Sequence, residues 1–221
     1  MLAQDPARDD YALVPESWPE GTHCPLLTAD VTFEAISENL GLSDETAKIL
    51  DDITFLTVCV HSASPGEERK IHTTASWLHS RLKAMPPAVT TTSKPDSESN
   101  YIQDAVRSAA IIYTWAISSV KAMSEFSDSA VRHDLFISAQ SVDLHRWKAM
   151  PGLYLWVMLV ACSGAPRDTN GRFLARKMAV AAVSVGFRHF PLSISCVRSF
   201  WQVQRWIAGG QSQRTRAYGA S

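Results

Sequence analysis

A chain of 221 residues suits one domain with loose ends. Hydrophobic residues at 46% and charged residues at 19% make it too apolar for a disordered chain. The longest apolar run, Leu153 to Cys162, is ten residues, half of the roughly 20 that a bilayer span requires, so it reads as a buried helix in a soluble protein without membrane partners. The start, M-L-A-Q-D-P-A-R-D-D, is acidic and lacks the apolar stretch of a signal peptide.

The net charge of −1 hides an asymmetry. Residues 1–100 hold 7 Lys/Arg against 16 Asp/Glu, and residues 101–221 hold 14 against 6. From Arg146 onward there are 11 basic residues and one acid, Asp168. Because the bases are dispersed with no dense run, the pattern favours two halves that complement each other over a nucleic-acid surface. Cys24, Cys59, Cys162 and Cys196 form no C-x-x-C pair, and the last three lie in apolar stretches. They read as buried free thiols in a reducing compartment.

In chain order, residues 1–27 are rich in Pro and acid and predict an extended or disordered arm, with Trp18 and Leu26 docking onto the core. Thr28 or Asp30 caps a short helix that Gly41 ends at Leu40. Ser43-Asp44-Glu45 opens the next, with Ile49, Ile53, Leu56 and Val60 on one seam, and Ser64-Pro65-Gly66 breaks it. Glu67-Glu68 begins a third, seamed by Ile71, Ala75, Leu78, Leu82 and Met85, that Pro86-Pro87 closes. Residues 86–100 read as a mobile loop. Ser99 or Asn100 then caps a long helix carrying Ile102, Val106, Ala109, Ile112, Ala116 and Val120. Further apolar residues round its circumference make it central.

Ser127-Asp128 opens a less regular helix through Leu144. Pro151 suits the first turn of a nearly all-apolar helix that Gly164-Ala165-Pro166 ends. Arg172 to Phe187 forms another helix, and the last, seamed by Cys196, Phe200, Val203 and Ile207, stops at Gly209-Gly210, before a flexible tail at 211–221. No strand pattern occurs. The expectation is an all-α, single-domain bundle of about eight helices over residues 28–210.

Catalytic and metal patterns are missing. His23, His61, His72, His79, His133, His145 and His189 show no H-E-x-x-H spacing, and His72 and His79 read as surface residues on a basic helix. No G-x-S-x-G elbow or glycine-rich phosphate loop occurs. The best enzyme candidate is Asp51-Asp52 on an apolar helix, which faintly matches the D-D-x-x-D magnesium motif of helical terpene synthases. Phe55 replaces its third carboxylate. The plainer reading is a solvated acidic stripe. No enzyme, cofactor or metal is therefore expected.

The C-terminal block resembles the fungal-specific transcription factor domain, the regulatory domain of fungal zinc binuclear-cluster factors. The similarity runs over about residues 45–210 and is strongest after Trp147. Its features are Met150-Pro151-Gly152-Leu153-Tyr154-Leu155-Trp156-Val157, Ala161-Cys162-Ser163-Gly164, Arg172-Phe173, Phe200-Trp201 and Gln204-Arg205-Trp206-Ile207. The resemblance implies a nuclear, all-helical module that tunes a DNA-binding domain through contacts with the transcription machinery, a second copy, or a small-molecule effector. The six-cysteine zinc cluster and the coiled coil that follows it are absent, so no direct DNA binding by this chain is expected. Trp115, Trp156, Trp201 and Trp206 are candidate cavity-lining residues, against the plainer reading of core packing. The alternatives are a stand-alone protein–protein interaction module with a basic C-terminal half, and a magnesium-dependent helical enzyme.

Overall fold

The computed structural model of the protein describes residues 22–86, 97–165, 171–172, 176, 179–180, 183 and 189–219. These form an all-helical bundle, with no strand among the described residues. In chain order the helices are α1 (Phe33–Leu40), α2 (Asp44–His61), α3 (Glu68–Ala84), α4 (Ser97–Ser119), α5 (Ser129–Ser141), α6 (Leu144–Lys148), α7 (Pro151–Gly164) and α8 (Phe190–Gly219). A 3-10 turn, Met123–Glu125, lies between α4 and α5, and residues 171, 172, 176, 179, 180 and 183 are also helical.

α4 is the axis. It touches α2, α3, α5, α7 and the 3-10 turn. Ala105, Ala109, Ala110 and Ala116 are fully buried along it and let the neighbouring backbones approach, while Ile102, Val106 and Ile112 fill the gaps. The α2 seam of Ile49, Ile53, Leu56 and Val60 and the α3 seam of Ile71, Ala75, Leu78 and Leu82 are all buried. α7 is apolar all round and correspondingly sunk: Leu153, Trp156, Val157 and Val160 are fully buried. Burying each such side chain is worth about 1.5–3 kcal/mol before entropy is set against it.

Several termini follow the sequence signals. The Ser43 hydroxyl accepts from Thr46 N at the start of α2, and Asp128 accepts from Val131 N at the start of α5. Gly41 ends α1 in the left-handed region, at φ 58°. Others differ. α1 is capped by Thr32, whose hydroxyl accepts from Ala35 N at 3.2 Å, rather than by Thr28 or Asp30. The expected helix through Leu144 is broken at Val142, and Asp143 caps a separate α6 by accepting from His145 N. Leu144 is exposed on that new start, which explains the irregular spacing.

The glycine pair Gly209-Gly210 does not stop α8, which runs on to Gly219. Glycine ends a helix by turning left-handed, and neither residue does so. Gly210 is instead a point of close approach: a Cβ there would lie 2.6 Å from Val120 Cγ1. Gln211 Nε2 then donates to Glu125 Oε1, tying the continuation to the 3-10 turn. Residues 211–219 of the expected flexible tail are therefore helical. Val120 itself holds φ 54° at the end of α4, where Lys121 N donates to Ala116 O. That is the position glycine ordinarily takes, and a β-branched residue is strained there.

The N-terminal expectation is met at one residue and corrected at its neighbours. Leu26 docks onto the core at 2% exposure, and Thr22, Cys24 and Pro25 are buried beside it. Residues 22–27 are thus a bound strap, not a loose arm; Trp18 and the rest of 1–21 lie outside the described residues. α4 starts at Ser97, inside the expected 86–100 loop, of which 87–96 lie outside the described residues. So does much of the expected Arg172 to Phe187 helix.

Candidate docking face

Asp51 and Asp52 do not converge on a common point. The Asp51 carboxylate reaches back to α1, where Phe33 N donates to Oδ1 at 2.7 Å and Glu34 N to Oδ2 at 3.0 Å. It therefore satisfies two orphan donors at a helix N-terminus, aided by the positive end of the dipole. Asp52 points to α3 and pairs with Arg81 Nη1 at 2.7 Å. Burial lifts the Asp52 carboxyl above its usual range, and Arg81 pulls it partly back. Two adjacent carboxylates are thus committed to two different helices. The stripe is acidic, but it is cross-braced rather than merely solvated.

His72 and His79 also hold helices together, and are half-buried rather than surface residues. His72 Nδ1 donates to Ile117 O at 2.9 Å, and His79 Nδ1 to Ile111 O at 3.1 Å. A carbonyl only accepts, so Nδ1 carries the proton in each ring. Ile117 O lies in the last turn of α4 and has no intrahelical partner, which makes it a natural acceptor. Burial pushes the His79 ring below the ordinary histidine value. His72 also lies against Trp206, ring centroids 5.2 Å apart.

A cleft of about 250 Å³ opens where the strap crosses α2 and α8, lined by Leu26, Leu27, Val58, His61, Arg198 and Ser199 among others. His61 Nε2 lies 3.2 Å from Ser199 Oγ, a spacing that a nucleophile and its base would have. The proton polarity is the reverse. Ser199 Oγ donates to Leu26 O, so its proton is used and His61 Nε2–H is the donor to Ser199. No carboxylate lies within ion-pair distance of His61 among the described residues. The group is a clamp that seats the strap.

The four candidate tryptophans are not brought to one cavity. Trp156 is fully buried with its ring edge-on to Tyr113, centroids 6.2 Å apart, and its Nε1 has no hydrogen-bond partner. Trp115 packs against Phe126 at 5.3 Å. Trp206 rests on His72, and Trp201 is 62% exposed. None of them lines the cleft at the strap. Three are packing residues on three different contacts. Beside Trp156, Tyr113 OH donates to Thr57 Oγ1, whose own proton goes to Ile53 O, and complete burial lifts the phenol far above its ordinary value.

Trp201 belongs to another constellation. α8 buries Leu192, Cys196, Phe200, Val203 and Ile207 against the bundle. On its outer side Phe190, Ile194, Val197 and Trp201 are 60%, 43%, 39% and 62% exposed. Their spacing of four, three and four places them in one row at 3.6 residues per turn. A helix that needs one seam to pack has a second, and the second faces solvent. Exposed apolar side chains are ordinary singly, whereas a row at helix-packing spacing marks a contact surface.

The charge beside this row is uniformly positive. α8 carries four arginines and no acid. Arg198 and Arg205 are exposed along one margin of the row. Neither forms an ion pair among the described residues, unlike Arg81 with Asp52, Lys83 with Asp128 and Arg107 with Asp104. Lys83–Asp128 joins the two halves of the chain, with its base in the first hundred residues and its acid in the remainder. Sequence reading found the buried seam of α8 and missed the outer one, although the 4-3-4 spacing of Phe190, Ile194, Val197 and Trp201 was there to be counted.

Among the described residues no three His, Cys, Asp or Glu side chains are grouped to hold a metal, and no helix is long and apolar enough to cross a membrane. Comparison of the chain with protein-family models, with curated proteins and with solved structures finds no match.

Proposed function

We propose that this chain is a nuclear, non-enzymatic regulatory module of the fungal-specific transcription factor type, and that the outer face of α8 receives an acidic amphipathic helix of a partner protein. The observation that carries the reading is the row Phe190, Ile194, Val197 and Trp201, exposed at helix-packing spacing and bordered by Arg198 and Arg205. An apolar row supplies adhesion and the arginines select the sign of the partner. A helix with an apolar stripe and flanking carboxylates complements both. The all-helical bundle and the apolar helix α7 (Pro151–Gly164) agree with the family resemblance. The four cysteines of this chain are too few and too scattered for the zinc cluster, so in this reading DNA contact belongs to another module.

The occupant is tested with the purified chain. A synthetic acidic amphipathic helical peptide, titrated at low salt, is expected to shift Trp201 emission to shorter wavelength and to lose affinity as salt rises. Ile194→Glu is expected to abolish the shift without unfolding the protein. A salt-insensitive titration, or one unchanged by Ile194→Glu, contradicts the proposed occupant. So does concentration-dependent dimerisation that Ile194→Glu abolishes, which would assign the face to a second copy.

A second reading rests on the cleft, where His61 and Arg198 face a volume of about 250 Å³ that suits a small acid. A panel of metabolite acids that raises the thermal midpoint of the chain, but not of Arg198→Ala, would favour it.

A further inference from the structure

Cys24 and Cys196 are 172 residues apart in sequence and meet in the core with their sulfurs 3.2 Å apart. Cys24 sits on the strap and Cys196 on the buried seam of α8, at 3% and 0% exposure. Both are free thiols. The strap that carries Cys24 is held by α8 and α7 and by a turn of its own. Ser199 Oγ donates to Leu26 O. Leu27 N donates back to Cys24 O at 3.0 Å, closing a turn. Gly152 on α7 lies under the strap so closely that a Cβ would overlap the carbonyl oxygens of Thr22 and His23. The two sulfurs are therefore apposed by surrounding structure, not by chance contact of loose chains.

We propose that Cys24 and Cys196 are a reversible disulfide site, oxidised by a hydroperoxide, which staples the strap to α8. A disulfide has its sulfurs about 2.05 Å apart, so the two must close by roughly 1.1 Å. Cys24 attacks the peroxide: its sulfur takes one oxygen to become a sulfenic acid, and the alcohol or water leaves. The Cys196 sulfur then attacks that sulfenic sulfur, the S–S bond forms, the S–O bond breaks and water leaves with the Cys196 proton. Each disulfide consumes one hydroperoxide, and two electrons pass from the thiol pair to it. The first step needs access, and the strap supplies it: lifting residues 22–27 exposes Cys24, and re-seating returns the sulfenic acid to Cys196. In the seated state the hydrogen bond with Cys24 and burial both push the Cys196 thiol well above its ordinary value, so it persists as a thiol. Cys59 and Cys162 are on α2 and α7 and are half-buried.

The consequence lies in the cleft, whose wall the strap forms through Leu26 and Leu27. Oxidation fixes that wall, and reduction releases it to the strength of the Ser199–Leu26 clamp.

The purified full chain is treated with hydrogen peroxide, quenched by alkylation, digested without reductant and analysed by mass spectrometry. The expected product is a peptide pair linked through Cys24 and Cys196, in the native chain and equally in Cys59→Ser/Cys162→Ser. Oxidation should raise the thermal midpoint by roughly 5–10 °C, reversibly with dithiothreitol, because the bond closes a very long loop. Cys196→Ala should lose both the link and the rise. Linkage through Cys59 or Cys162 instead, or oxidation of Cys24 to sulfinic acid with Cys196 still free, would overturn the proposal.

Discussion

Asp51 shows how far a residue's role depends on what folds against it. Its carboxylate closes the start of α1 from another helix, at 2.7 and 3.0 Å. Asp52, next in sequence, makes one exposed ion pair with Arg81. Asp51→Ala should therefore cost about 1–2 kcal/mol, and Asp52→Ala at most about 1 kcal/mol, as read by urea denaturation. Equal costs would contradict the capping role. His79 gives a prediction of opposite character. Its ring is held below the ordinary value chiefly by burial, so the unfolded chain takes up a proton at a higher pH than the folded one. This contribution to stability is full above the ordinary histidine value of about 6.5 and declines as pH falls through that value toward the folded one. His79→Gln should flatten that part of a stability-against-pH curve; an unchanged slope would show that another group is responsible. None of these roles was legible in the sequence, because each depends on an acceptor or donor 17 to 32 residues away.

At the scale of elements, seams were legible and ends only in part. The buried positions of α2, α3, α4 and α8 follow directly from 4-3 spacing, since a helix must turn its apolar face inward. Boundaries failed where a local signal was outweighed. Gly209-Gly210 reads as a stop in isolation, but Gly210 is required by contact with Val120 and the helix continues. The two glycines should consequently respond in opposite ways. Gly209→Ala meets nothing within 4 Å and should stabilise α8 by roughly 0.5–1 kcal/mol through helix propensity. Gly210→Ala would press a methyl group to 2.6 Å from Val120 Cγ1 and should destabilise the protein. Thermal unfolding of the two variants decides this, and a stabilising Gly210→Ala would show that Val120 can yield. The Val142 break that separates α5 from α6 is hidden for a similar reason: Asp143 fits a continuous helix in sequence, but its side chain starts a new one.

For the whole molecule, the bundle class follows from composition and periodicity. The surface was harder to read. Sequence periodicity reports that a face is apolar but not whether the fold covers it, and α8 has two apolar faces of which the bundle covers one. The tryptophans illustrate the same gap: four similar residues divide into three packing contacts and one exposed member of the outer row. The net charge of −1 concealed an α8 with four arginines and no acid. Together these place the molecule's distinctive chemistry on the outside of its last helix, and the regulatory proposal stands on that face.

The most direct test of that proposal is a tethering assay in fungal cells. The chain is fused to a heterologous DNA-binding domain above a reporter gene, beside a fusion carrying Ile194→Glu and Trp201→Glu. Both replaced residues are exposed, so the variant should keep its stability to within about 1 kcal/mol. The account predicts that the native fusion changes reporter output severalfold in either direction, and that the variant, equally abundant, returns it to the level of the DNA-binding domain alone. A native fusion that leaves the reporter unmoved, or a variant that moves it just as much, would contradict the account.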